Sequence, residues 1–306
     1  MKKFLKFKIG NFYKNFYNYN ESLTIFLFHE VTDTPSEYQK RDGVFHTKKE
    51  FINTIDWIDK NYDFINPNKF INSKKKFALI TFDDGFNGNF DFAIPQLVKR
   101  KIPSISFLNF RPIIKQEPNI VTTVQFLRNN NSNFKKFMKM NNLRYDVHLD
   151  ITPKLFKSFI LNNKKIELNR ILIDQGKIVE YDTLNNFSNN EYVYFSNHMY
   201  EHWNCNKLSD NEVEYYYEKN FLELKKFNNF INFFAFPFGF YRKDFLKNIK
   251  KDNQPKKLFT FYNGVNDNFF NQVLDRLYVK NLNEVGNTLY YNILRSYIKK
   301  KSQYII

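Results

Sequence analysis

The sequence predicts an α/β protein, a parallel sheet closed into a single barrel with an insertion over its C-terminal rim. Three observations lead there. Short apolar runs recur along the chain, and each stops at a polar residue. Capped helical patterns lie between the runs, so strand and helix alternate about seven times. The side chains with chemistry to offer stand just past the ends of the runs, where a closed parallel barrel gathers them at one rim.

In order, the runs are Leu23–Phe28 ending at His29, Phe77–Phe82 ending at Asp83 and Asp84, and Ile105–Leu108 ending at Asn109. Tyr192–Phe195 ends at Asn197 and His198, Phe233–Phe236 at Pro237, and Leu258–Tyr262 at Asn263; Leu277–Val279 is the last. The stretch Phe77-Ala78-Leu79-Ile80 is apolar without a break, which marks a strand buried on both faces. Thr47 with Glu50 is a capping box ahead of Phe51, Ile52, Ile55 and Ile58. Ser209 with Glu212 is another, opening a helix from Val213 to Phe227. Thr152-Pro153 pairs a cap with a proline suited to a first helical turn.

Residues 111–190 do not follow the repeat. They are rich in Asn and Lys, with one or two helices expected, and read as an insertion over the rim that supplies substrate selectivity. The expected organisation is therefore a basic, aromatic arm over 1–20, the barrel over 21–281 and a basic amphipathic tail over 282–306. Arm and tail fit terminal helices packed on the barrel, or interfacial helices resting on an acidic membrane.

With 306 residues, 42% of them hydrophobic, the chain can build a full core. No segment approaches the length of a membrane span. The start, Met1-Lys2-Lys3-Phe4-Leu5-Lys6, lacks an apolar core and a cleavage site, so no secretory signal is read there. The expected location is cytoplasmic, peripheral at most to the inner face of the membrane. The single cysteine, Cys205, excludes an internal disulfide. The net charge of +16 goes with heavy use of Lys, Asn, Ile, Phe and Tyr, the bias of an AT-rich genome, so part of it reports codon usage. No nucleic-acid-binding motif accompanies the charge, and no nucleic-acid partner is expected.

Three words carry the chemistry: Thr81-Phe82-Asp83-Asp84-Gly85, His198-Met199-Tyr200-Glu201-His202 and Phe236-Pro237-Phe238-Gly239. Asp-Gly alone is a common turn dipeptide. Two carboxylates at the end of a buried strand are another matter, since they are costly to desolvate unless a cation sits on them. Two His four residues apart are expected on one face of a helical turn. Two imidazoles and one carboxylate make a three-ligand set with a position left open, as in catalytic zinc sites. The second Asp is then free to act as a base on water acidified by the metal.

In these words the chain resembles the polysaccharide deacetylases of the NodB-homology family, carbohydrate esterase family four. Thr81–Gly85 matches the family's first motif, His198–His202 its second (histidine-x-x-x-histidine), and Phe234–Gly239 a common form of its third. The resemblance covers roughly Leu23 to Val279, interrupted by the insertion. It implies a distorted barrel of about seven strands and an oxyanion held by the metal and the backbone N–H of Phe238. Asp84, His198 and His202 are then the metal ligands and Asp83 the base. The donor set suits Zn²⁺, with Co²⁺ or Ni²⁺ as alternatives.

The chain departs from the family pattern twice. Ala235 stands where an Arg usually orients the base, and Arg276 is the candidate substitute. No His follows His202, although the pattern carries a late His as general acid. His29 is the candidate replacement, in a Phe28-His29-Glu30-Val31 context that recurs in deacetylases of surface polysaccharides. His46 and His148 read as structural. The expected activity is hydrolysis of the acetamide of an N-acetylamino sugar in a cell-surface polysaccharide or lipopolysaccharide precursor, lipid- or nucleotide-linked. Two rivals differ in kind. One is a degenerate barrel that only binds a glycan. The other is an H-x-x-E-H metalloprotease with Glu201 as base and Glu284 as distant ligand.

Overall fold

The computed structural model describes residues 22–70, 75–163, 167–261, 266 and 270–279. Seven strands form the barrel: β1 (Ser22–Phe28), β2 (Lys76–Asp83), β3 (Ser104–Leu108), β4 (Val193–Asn197), β5 (Phe230–Ala235), β6 (Lys257–Thr260) and β7 (Val273–Tyr278). Each contains or overlaps one of the seven apolar runs. Neighbours pair in parallel, and β1 pairs with both β2 and β7, which closes the ring. A two-residue strand, Asp63–Phe64, pairs beside the start of β2.

Because side chains alternate across a strand, each barrel strand has an inward and an outward set. Leu23, Ile25, Phe77, Leu79, Ile105, Phe107, Phe233, Phe259 and Leu274 fill the barrel. Phe26, Phe28, Ala78, Ile80, Phe82, Phe195, Phe234 and Leu277 face outward into the larger core beneath the helices. The inward parity, carried to the strand ends, aims specific residues at the rim. It runs Leu23-Ile25-Leu27-His29 on β1, Phe77-Leu79-Thr81-Asp83 on β2 and Leu274-Arg276-Tyr278 on β7.

The helices between strands start where their caps indicate. After α1 (Glu37–Asp42), α2 (Lys48–Asn61) opens on the Thr47/Glu50 capping box; α3 (Ile94–Lys99) precedes β3. Between β3 and β4 the one or two expected helices become seven among the described residues. They are α4 (Phe110–Lys115), α5 (Ile120–Asn130), α6 (Ser132–Met140), α7 (Val147–Asp150), α8 (Pro153–Asn162), α9 (Leu168–Gln175) and α10 (Tyr181–Phe187). Asparagine explains the difference: Asn119 and Asn131 accept from the N–H groups of Val121 and Phe134, so residues that read as loop formers are helix caps. Thr152 caps α8 ahead of Pro153 as expected. The last α-helix among the described residues, α11 (Asp210–Leu224), opens on Ser209/Glu212 and stops short of Phe227. Residues 1–20, 282–306 and Glu284 lie outside the described residues. No helix among the described residues is long and apolar enough to cross a membrane.

Candidate metal centre and active site

The three words meet at the C-terminal mouth of the barrel. Asp83 ends β2 in the inward register, and the guanidinium of Arg276 on β7 grips it with two bonds, Nη1 to Oδ1 at 2.6 Å and Nη2 to Oδ2 at 2.9 Å. Arg276 is 1% exposed, lies over the Phe107 ring at 5.2 Å and donates weakly from Nε to the Thr260 carbonyl. A guanidinium inside a barrel is tolerable only with such a pairing. Burial works to raise the Asp83 carboxyl, but Arg276, with a smaller contribution from His198, holds it at about 2. Arg276 reaches Asp83 from β7, two strands from Ala235 on β5 and two from Asp83 on β2. Ala235 meanwhile offers its carbonyl to His198 Nδ1 at 2.8 Å.

Asp84 should point outward by strand parity. It does not, because its φ of 70° is left-handed and turns the carboxylate back over the mouth. Of the five other described non-glycine residues with positive φ, Met199 (65°) and Phe238 (59°) fall in the other two words, so each word contains one, while Lys101, Gln116 and Asn142 lie elsewhere. Such strain gathers where a site dictates the backbone. Met199 also corrects an expectation: His198 to His202 is a loop, not a helical turn. Asn197 Oδ1 accepts the Met199 N–H, and Asn109 donates to the His198 and Met199 carbonyls, so side chains rather than a helical ladder hold the backbone.

The loop still brings the imidazoles together, their ring centroids 4.8 Å apart. Asp84 Oδ1 lies 3.7 Å from His198 Nε2 and 3.5 Å from His202 Nε2. A tetrahedral ion with bonds of about 2.0–2.1 Å separates its ligand atoms by roughly 3.4 Å, so the cluster has the spacing a cation requires. Asp84 Oδ1 and His198 Nε2 are buried with no hydrogen-bond partner, as donor atoms awaiting a cation would be. Burial lowers His198 to about 4 and His202 to about 3, which keeps both imidazoles neutral and able to ligate. The His198 Nδ1 bond to Ala235 leaves Nε2 as its free nitrogen. Burial raises the Asp84 carboxyl.

A cavity of about 300 Å³ opens beside this cluster, lined among others by His29, Asp83, Asp84, His202, Phe238 and Arg276. His29 stands at the end of β1 with its ring edge-on to Tyr278 and its Nδ1 buried without a partner. Phe238 packs edge-on to His202 at 4.6 Å. Its turn depends on Gly239, whose φ is 71° and where a Cβ would sit 2.6 Å from Phe261 N. His198 lies behind the cavity wall at 1% exposure.

Other residues sit differently. His148, read as structural, lines the cavity beside Phe238, its Nδ1 buried without a partner. Nothing in the sequence signalled this, because the insertion has no strand parity from which to place a side chain. His46 is buried against Phe28, away from the cavity lining. Cys205 is fully buried, its thiol pushed up to about 12. Glu201 accepts from Trp203 Nε1 at 2.9 Å, faces Arg111 at 3.4 Å and does not line the cavity.

Solved structures share this architecture. IcaB from Ammonifex degensii superposes with a TM-score of 0.58 at 15% identity, over 89% of this chain and 97% of its own. The fold is that of the polysaccharide deacetylases. The deacetylase PplD from Streptococcus pyogenes, solved with acetate, gives 0.56 at 14% identity over 88% and 96% of the two chains. A de-N-acetylase from Aggregatibacter actinomycetemcomitans gives 0.52 at 12% over 84% and 94%. No family model matches the sequence, and no curated protein sequence matches it.

Proposed function

We propose that the chain is a metal-dependent deacetylase of the NodB-homology family, hydrolysing the acetamide of an N-acetylamino sugar in a precursor of a cell-surface polysaccharide or lipopolysaccharide. The observation that carries this reading is one pair of adjacent carboxylates with two environments. Asp83 is clamped by Arg276, and Asp84 faces two neutral imidazoles. A turn or an ordinary ion pair needs no such division. The shared fold supports the reading.

Asp84, His198 and His202 would hold the cation, with Zn²⁺ the best match to the donor set and Co²⁺ or Ni²⁺ as alternatives. The bound ion would supply a Lewis acid for the acetyl carbonyl and acidify the attacking water. Asp83 takes the proton from that water. At about 2 it is a weak base but stays ionised at every working pH, and Arg276 fixes its direction. The Phe238 N–H steadies the oxyanion. As the C–N bond breaks, His29 protonates the leaving amine, giving acetate and a free amino sugar. A lipid- or nucleotide-linked precursor at the cytoplasmic face fits the proposal; no nucleic acid takes part.

The test is acetate release from N-acetylated saccharides by the zinc-loaded chain and by Asp83→Asn. Turnover by the wild type and a loss of about 10²–10⁴-fold in the variant, with metal content unchanged, is the expected result. Equal turnover in the two removes Asp83 from the reaction. A full complement of metal with no acetate from any saccharide leaves a barrel that binds without cutting.

A further inference from the structure

The cavity has a roof as well as a floor, and the roof is not part of the barrel. It comes from α1 and from α5 and α7 of the insertion, which contribute Asp42, Gln125 and His148. We propose that this roof makes the site a socket for one terminal N-acetylated sugar residue, with Asp42 and His148 reading its hydroxyls, rather than a groove for the interior of a polymer. The proposal rests on the deacetylase reading and narrows its substrate.

Three features carry it. First, the roof is braced. Arg41 reaches Asp174 of α9 at 3.1 Å and Gln125 of α5 at 3.4 Å, and Gln125 Nε2 donates to Asp42 Oδ2 at 2.7 Å. Ser36 Oγ adds a bond to the Gln175 carbonyl at 2.9 Å. These links join the segment after β1 to the insertion across the mouth, where a polymer lying across the site would have to pass. Second, the space is small. About 300 Å³ is the lower end of small-molecule sites, a space that matches one sugar ring with its acetamide.

Third, the roof's polar groups suit hydroxyls. Gln125 is engaged at both ends of its amide; Asp42 accepts from Gln125 at Oδ2 and lies 3.7 Å from Arg41 Nε at Oδ1, and its remaining lone pairs, with His148, are the roof groups that meet a ligand. His148 Nδ1 is buried without a partner, and its ring lies 5.6 Å from Phe238, itself against His202. A neutral imidazole donates at one nitrogen and accepts at the other, and a carboxylate accepts, which together match the two faces of a sugar hydroxyl. Tyr38, Phe238, Phe261 and Tyr278 supply apolar surface between roof and floor for the ring and the acetyl methyl.

The experiment uses the full chain loaded with zinc, N-acetylglucosamine and its β-1,4-linked pentamer, with the deacetylated position read by mass spectrometry. Removal of acetyl groups only from a terminal residue is expected. His148→Ala should raise KM for N-acetylglucosamine about tenfold or more, as loss of one hydrogen bond predicts, with a smaller change in kcat and no change in metal content. Deacetylation at an interior residue of the pentamer overturns the socket while upholding the deacetylase. An unchanged KM in His148→Ala overturns the roof's part in recognition. No acetate from either saccharide overturns the socket for this sugar, and the same silence across other N-acetylated saccharides overturns the deacetylase reading.

Discussion

Asp83 on the floor of the cavity and His148 on its roof face the same space, but they are held there by different physics. The floor is made of strand ends, where an inward register, parallel pairing and a buried ion pair leave little freedom. Its charges are bound to one another or converge with the spacing a cation would fit. The roof is made of short helices, held by part-buried polar links such as Arg41 to Asp174, with side-chain exposures of 30% and 12%. Partners on the floor are desolvated, and deleting one strands the other; links in the roof are partly hydrated and individually weak. Chemistry belongs where placement is over-determined, and selectivity where helices can be exchanged without disturbing the barrel.

This contrast predicts a graded series of effects. Asp84→Ala should be the most severe, taking bound metal from near one per chain to near zero and acetate release to background, with the circular dichroism of the barrel retained. Metal retained in the variant would move the cation position elsewhere and break the description of the floor.

Arg276→Met should come next. It leaves the Asp83 carboxylate buried without its cation, at a cost of about 3–5 kcal/mol in denaturant unfolding. The pH dependence should change sign. In the wild type the Asp83 carboxyl sits at about 2 against an ordinary 3.8, so its contribution to stability is present above 3.8 and lost as pH falls toward 2. Without the guanidinium, burial, the largest cause, is opposed only by the smaller contributions of His198 and His29, and the carboxyl rises. The variant should therefore gain stability relative to wild type on acidification, and the acid limb of its pH–rate profile should move upward. Parallel stability curves for the two proteins would show that the pair does not govern Asp83.

Asp174→Ala should be the mildest. Loss of the Arg41 link is expected to cost about 1 kcal/mol or less, visible as a small drop in Tm, with metal content unchanged. Loss of metal in this variant would mean that roof and floor are one unit.

Sequence and structure agree unevenly along the same line. All seven barrel strands were legible, because a strand buried on both faces leaves an apolar run and little else does. The caps at Thr47, Thr152 and Ser209 were legible too, since each is settled by its own few residues. The pairing of Arg276 with Asp83 could be guessed only as the filling of a gap in a motif. The His198–His202 segment misled: its spacing fits a helix, but Asn197 and Asn109 capture its backbone and Met199 takes a left-handed φ. The insertion misled most, because its asparagines read as loops and serve as caps.

By itself the sequence determined which residues the barrel buries, where its strands stop and which side chains stand at those stops. These follow from local apolarity and the two-residue period of a strand. Only the tertiary structure decided that Asp84 turns inward beside Asp83, that Arg276 reaches Asp83 from two strands away, and that His148 lines the cavity. Each depends on groups far apart in the chain, and desolvation lets such groups persist only when closure of the fold brings their partners to them.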